Sequence, residues 1–236
     1  MGLTLERKKR KNLLLSLIYW LSKLLPLSRE RKFIFFLNLE WIFERLAHEM
    51  SFKIYSTEKH PLRAYSSEFL LQFIKPEYVV LDLGCKYGEI SFITAEKAKK
   101  VVGIDFDEAA IEKAKTLHKK SNLYFEVGDA VVYLKTNSQK FDILILSHIL
   151  EHIEKPKKFI NDVKKLVSYI YVEVPDFDKS YLNHYRKDFG CDLIYTDSDH
   201  ISEFDRIDIL ALFKECQLEI ISSEYRFGVQ RYWLKS

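Results

Sequence analysis

Several things that would make this chain something other than a cored globular domain are scarce in it. Only 7 glycines and 5 prolines occur among 236 residues, which excludes collagen-like and low-complexity chains. The three cysteines, Cys85, Cys191 and Cys216, are odd in number, widely scattered and never paired as CxxC. Neither a disulfide framework nor a thiolate zinc site is supported, and a reducing, cytoplasmic location is expected. A run of about 20 apolar residues, the requirement for a membrane span, is also missing. The nearest candidate, Leu13 to Leu27, is interrupted by Lys23 and stopped near Pro26. Finally, no Gly-x-Gly-x-x-Gly and no Gly-Lys-Ser/Thr follows a strand-like run, so the dinucleotide fingerprint and the P-loop are both absent.

What is present suits one domain with a helical extension. Hydrophobic residues make up 47% and charged residues 30%, enough for a sizeable core and too apolar for disorder. The net charge of +3 is unevenly spread. Residues 1–60 hold 12 Lys and Arg against 6 Asp and Glu, whereas the remainder hold 25 against 28. The basic excess therefore belongs to the N-terminal segment and not to a nucleic-acid-binding face of the domain.

That segment begins with Arg7-Lys8-Lys9-Arg10-Lys11 ahead of the apolar run. A signal segment lacks a small-x-small cleavage site here. Two readings remain. In the preferred one, the helix packs on its own domain or on a second subunit, giving a homodimer. In the other, residues 5–27 lie in the headgroup region at the inner face of an anionic membrane. A second helix is expected over about Arg31 to Ser51, with Glu40, Glu44, Arg45 and Glu49 on its wet side, and a third over Pro61 to Ile74, with proline at an allowed first-turn position. The division expected is a basic, amphipathic extension over 1–60 and a ligand-binding domain over 61–236.

From residue 77 apolar runs alternate with helical stretches. Strands are expected at 78–81, 101–104, 123–127, 141–146 and 169–174, with helices between them. Continuous apolar runs at this spacing indicate an α/β fold with a doubly wound, mostly parallel sheet buried on both faces. After a helix over 205–215 the rhythm breaks. Two extended runs, 218–221 and 225–234, lie close together and suit an antiparallel pair at a sheet edge.

In such a sheet, ligands bind outside the carboxyl ends of the strands. The first strand leads into Asp82-Leu83-Gly84-Cys85-Lys86-Tyr87-Gly88, a turn that allows close backbone approach before a helix N-terminus. The second ends at Asp105, placed to accept two hydrogen bonds from a ribose diol. The third leads to Gly128-Asp129-Ala130, where a carboxylate and a backbone N–H can meet an adenine edge. The fourth leads to Ser147-His148 and then Glu151-His152.

These four segments, together with Val174-Pro175-Asp176 and Asp199-His200-Ile201-Ser202-Glu203-Phe204, resemble the successive motifs of class I S-adenosylmethionine-dependent methyltransferases over about residues 60–236. The closest likeness is to small bacterial and archaeal members associated with glycan or lipid modification. The resemblance implies a Rossmann-like seven-stranded sheet whose seventh strand is antiparallel, and S-adenosyl-L-methionine as cofactor. Asp82, Gly84, Cys85, Lys86 and Gly88 would surround its methionine moiety. Asp105 would hold the ribose, Phe106 one adenine face, and Asp129 with Ala130 the adenine edge. Ser147 and His148 would border the sulfonium and the acceptor. The family usually has glycine where this chain has Lys86. That side chain either crowds the cofactor or pairs with its carboxylate.

The acceptor expected is an oxygen or nitrogen of a glycan, lipid-linked sugar or small metabolite, with no nucleic acid. The alternative is a non-catalytic binding module on a decayed methyltransferase fold. His200 with Glu203 is the leading catalytic candidate, since a hydroxyl acceptor benefits from a base near neutral pKa. The insertion 176–199, with Tyr181, Tyr185, Arg186, Lys187 and Tyr195, is expected to cover a sugar or anionic head group. His148-x-x-Glu151-His152 has the spacing of a zinc-peptidase motif. It directly follows a buried strand, so no metal is expected there, and His152 reads as a structural residue bonded to backbone.

Overall fold

A computed structural model describes residues 12–56, 59–136, 140–197 and 199–236. The basic cluster Arg7–Lys11 lies outside them. Helix α1, Leu13–Leu24, starts at Asn12, whose side chain accepts a hydrogen bond from the Leu15 amide. None of its residues is buried, and Leu13, Tyr19 and Trp20 are all more than half exposed. The expectation that it packs on its own domain is therefore not met. No described helix is long and apolar enough to cross a membrane.

Helix α2, Arg29–Ile54, is capped by Ser28 and tied down by the polar residues expected on its wet side. Glu40 pairs with Arg186, Glu44 with Lys179 at 2.9 Å, and Arg45 donates to the Thr196 carbonyl. Phe33 adds edge-on ring contacts to Tyr185 and Phe189. Its polar face is thus a docking face. Helix α3, Pro61–Leu71, carries proline in its first turn and buries Ser66, Phe69 and Leu70.

The sheet has seven strands in the order β3-β2-β1-β4-β5-β7-β6. They are β1 (Val79–Leu83), β2 (Lys100–Asp105), β3 (Leu123–Val127), β4 (Ile143–Ser147), β5 (Tyr169–Pro175), β6 (Glu219–Arg226) and β7 (Val229–Lys235). Strands β1 to β5 are parallel, and β7 runs antiparallel between β5 and β6. The final turn falls later than the sequence pattern suggests, at Phe227-Gly228. Both residues have positive φ (54° and 72°), the geometry of a tight two-residue hairpin.

Helices α4 (Glu89–Thr94), α5 (Glu108–Leu117), α6 (Ala130–Thr136), α7 (Pro156–Val163), α8 (Leu182–Asp188) and α9 (Arg206–Glu215) complete the fold. Apolar clusters cover both faces of the sheet. One gathers Leu81, Leu144, Val172, Phe213 and Tyr232; the other gathers Phe69, Val80, Val101, Ile145 and Trp233. The strand order reverses between β1 and β4, the position at which such sheets open a ligand crevice.

Candidate active site

The crevice begins at the glycine turn. Gly84 and Cys85 both donate to the Ile104 carbonyl, at 2.8 and 3.1 Å, which clamps the turn onto the end of β2. Gly88 has φ +81°, and a Cβ there would stand 2.4 Å from the Phe125 ring, so glycine is required. Lys86 also has positive φ, 48°, which accounts for the family's preference for glycine at this position. Its side chain is exposed, with Nζ 5.7 Å from the Tyr87 ring centre. Cys85 points the other way: its thiol is buried in the core, leaving only its backbone for a ligand.

Asp82, at the end of β1, is 2% exposed and accepts the Ser91 hydroxyl at 2.5 Å. Burial pushes its carboxyl up to about 7, with Ser91 pulling the opposite way and Asp105 adding repulsion. A buried acid poised there suits a nearby ammonium. Asp105 takes the Lys86 amide on one oxygen and the Asp107 amide on the other, both at 2.9 Å. It therefore links the turn after β1 to the turn after β2, and each oxygen retains a lone pair for a diol. Phe106 is 86% exposed beside it, an open ring face.

Asp129 has a second task. One of its oxygens accepts the amides of Val131 and Val132 at 2.8 and 3.0 Å, capping α6. The Ala130 backbone opens that helix, while its side chain lies outside what the structure describes. A hollow of about 590 Å³ is lined by Lys115, His118 to Ser121 and Leu123 to Glu126, on the β3 side of the sheet.

On the other side of the crevice the architecture is a row of side chains across adjacent strands. Ser147, Glu173, Arg231 and Glu224 occupy paired positions on β4, β5, β7 and β6. Ser147 donates to Glu173 at 3.2 Å, Arg231 Nε donates to Glu173 at 2.8 Å, and Tyr171 OH donates to it at 2.7 Å. Arg231 is fully buried and also reaches Ser66 on α3 and Glu224. His148, with φ +55°, bonds Glu151 at 3.0 Å and lies 3.4 Å from Glu173. Burial opposes charge on Glu173, but His148 and Arg231 outweigh it and hold the carboxyl down at about 2. On His148 burial is likewise outweighed, by Glu151 and Glu173, and the imidazole rises to about 10.

Sequence reasoning missed Glu173 and Arg231. The available signal was a charge inside each of two runs that otherwise read as buried strands, since a buried charge requires a partner.

His148 also lines a cavity of about 430 Å³ together with Trp41, Arg45, His48, Lys179, Thr196, His200 and Phe227. His200 Nδ1 is 2.9 Å from Glu203, which also accepts the Thr196 hydroxyl at 2.8 Å. Burial lowers the His200 pKa, and the Glu203 carboxylate more than compensates. The structure thus brings His148, His200 and Glu203 together. His152 bonds the Asp199 carbonyl through Nδ1 at 3.2 Å, the structural contact anticipated. The insertion differs from expectation at one point. Arg186 is fully buried and bonded to Asn183, the Leu37 carbonyl and Glu40, so it anchors α2 and is closed to an acceptor.

Comparison with known proteins fits this geometry. A family model described as a methyltransferase domain matches residues 74–197. A Clostridium tetani protein named as an uncharacterized RNA methyltransferase is 35% identical over 116 residues, 39% of this chain and 25% of its own length. A ubiquinone biosynthesis O-methyltransferase of Coxiella burnetii is 31% identical over 90 residues, 37% of this chain and 38% of its own. The chain therefore spans well under half of either relative. Among solved structures, a Synechocystis magnesium protoporphyrin IX methyltransferase with bound S-adenosylhomocysteine shares the fold. It has a TM-score of 0.56 and 18% identity, covering 82% of this chain and 93% of that one.

Proposed function

The chain belongs to the methyltransferase-domain family of class I, S-adenosylmethionine-dependent enzymes, and from that premise we propose that it methylates an oxygen or nitrogen of a small acceptor: a glycan, a lipid-linked sugar or a metabolite. The observation that carries this reading is a cavity lined by His148 and His200, beyond the end of β4. Its volume of about 430 Å³ suits a small molecule and is too confined for a nucleic-acid duplex. Trp41 and Phe227 supply flat faces for a sugar ring, and Arg45 and Lys179 supply cations for an anionic group.

Bound cofactor supplies an electrophilic methyl group on a sulfonium. The rest is positioning, because an in-line displacement mainly needs the acceptor held and water excluded. In this reading Asp105 receives the ribose hydroxyls, Phe106 covers the adenine and the Asp82 carboxylate faces the amino group. Gly84 and Gly88 let the backbone approach, and His148 lines the acceptor cavity. The Glu203-linked His200 faces the acceptor and takes its proton. Screening candidate acceptors with methyl-labelled cofactor by mass spectrometry tests the proposal. Label in a glycan or lipid-linked sugar supports it, and label in RNA alone would overturn it.

Exposed α1 supports a peripheral site of action at the inner face of the membrane. Its apolar side chains are open, and the first 60 residues carry a basic excess. Removing residues 1–27 is expected to abolish flotation with anionic liposomes. Undiminished flotation would assign the helix to contact with a second subunit instead.

A further inference from the structure

Glu151, His152 and His200 each offer a ligand atom within 4.8 Å of the others. Glu151 is fully buried, yet its Oε2 has no hydrogen-bond partner. An orphaned carboxylate oxygen in such a place carries a desolvation penalty that calls for a compensating group. Its other oxygen is held by His148 Nδ1 at 3.0 Å, which fixes the carboxylate's orientation.

The two histidines are arranged to complement it. His152 directs Nδ1 at the Asp199 carbonyl, and His200 directs Nδ1 at the Glu203 carboxylate. When each Nδ1 carries the proton for these bonds, each Nε2 presents a lone pair. Among the described residues no hydrogen bond uses either Nε2. Oxygen acceptors behind both imidazoles are the arrangement that supports metal-ligating histidines, because they fix the tautomer and raise ligand basicity. The rings stand edge to face with centres 4.8 Å apart. Donors at about 2 Å from one cation are about 3–4 Å apart, so small rotations close the set.

We propose that Glu151, His152 and His200 form a binding site for one divalent transition cation. Two imidazoles and a carboxylate are the donor set of open catalytic zinc and non-haem iron sites, with positions left for an outside oxygen. The zinc-peptidase spacing is therefore a misleading guide: His148 supports the site through Glu151, and the second histidine comes from the segment before α9. His200 lines the acceptor cavity, which places the cation at its edge. Resting on the methyltransferase reading, the cation's role is to bind an acceptor hydroxyl, favour loss of its proton to solvent and fix its oxygen. With the cation bound, His200 serves as ligand; it takes the acceptor's proton only in the metal-free chain.

The test uses cobalt(II) alone, with the full-length chain stripped by chelator and no cofactor added. One equivalent per chain by elemental analysis, with a visible absorption band of a nitrogen- and oxygen-ligated ion, is expected. Both His152→Gln and Glu151→Gln should weaken binding at least tenfold. His184→Gln, which breaks a different His–carboxylate pair with Asp178, should leave it unchanged. Where Glu151→Gln does not fold, His152→Gln at a partly exposed position decides. No binding to the parent chain at millimolar cobalt, or affinity unaffected by His152→Gln, overturns the site. Because the readout needs neither cofactor nor acceptor, a failed methyl-transfer assay leaves it standing, and the reverse also holds.

Discussion

The two sides of the sheet's carboxyl edge are made in different ways. On the β1–β3 side the site is mostly backbone: glycine turns, helix starts and a carboxylate that accepts two main-chain amides. Partners there belong to one β–α–β unit, as where Asp105 holds the Lys86 amide. On the β4–β7 side it is a network of charged side chains drawn from far apart. His148, Glu173 and Arg231 meet across three strands, and His200 arrives from a segment beyond them. In the proposed reading, the cofactor is held largely by main-chain geometry, while the acceptor side depends on individual side chains.

The contrast is open to breakage. Glu173→Gln should cost about 3–5 kcal/mol, because it leaves buried Arg231 with only the partly exposed Glu224 as counter-charge and takes a carboxylate from His148. Urea unfolding reads this, and a loss below about 1 kcal/mol would mean that the row is not a supporting structure. Gly88→Ala should cost about 1–3 kcal/mol, from left-handed strain and the displaced Phe125 ring. A thermal scan with unchanged midpoint would remove the backbone argument for the glycine turn.

Asp82 provides a pH test of the same side. Its folded pKa of about 7 is above the usual carboxylate range, so below 7 the native state binds the extra proton. Its burial therefore lowers stability as pH rises from about 4 to about 7, with no further change above. Asp82→Asn should be about 1–2 kcal/mol more stable than the parent at pH 8, after loss of the Ser91 bond, and should show no gain at pH 4. An equal difference at both pH values would contradict the assigned shift. The smallest effect expected is a gain of about 0.5–1 kcal/mol for Lys86→Gly, strain relief minus glycine's added unfolded-state entropy. Cofactor affinity should stay within twofold. A tenfold gain would place the Lys86 side chain in the hollow.

Legibility followed the same division. Strand ends, glycine turns and Asp105 are local features, so short-range pattern sufficed to find them. The polar face of α2 misled because Glu40, Glu44 and Arg45 resemble a solvent face, and nothing nearby in sequence announces Arg186, Lys179 or Thr196 as partners. The hairpin turn was displaced because Phe227 adopts positive φ, a conformation that its residue type disfavours. His200 was visible as a reactive residue, but its approach to Glu151 and His152 depends on chain folding over a long separation.

The most direct measurement is calorimetric titration of S-adenosylhomocysteine into the parent chain and into Asp105→Ala. We expect one equivalent bound by the parent and an affinity loss of about 1–3 kcal/mol in the variant, whose ribose partners are gone. Absence of heat with the parent at millimolar ligand, or equal affinity in the two proteins, would contradict a cofactor cradle at the ends of β1, β2 and β3.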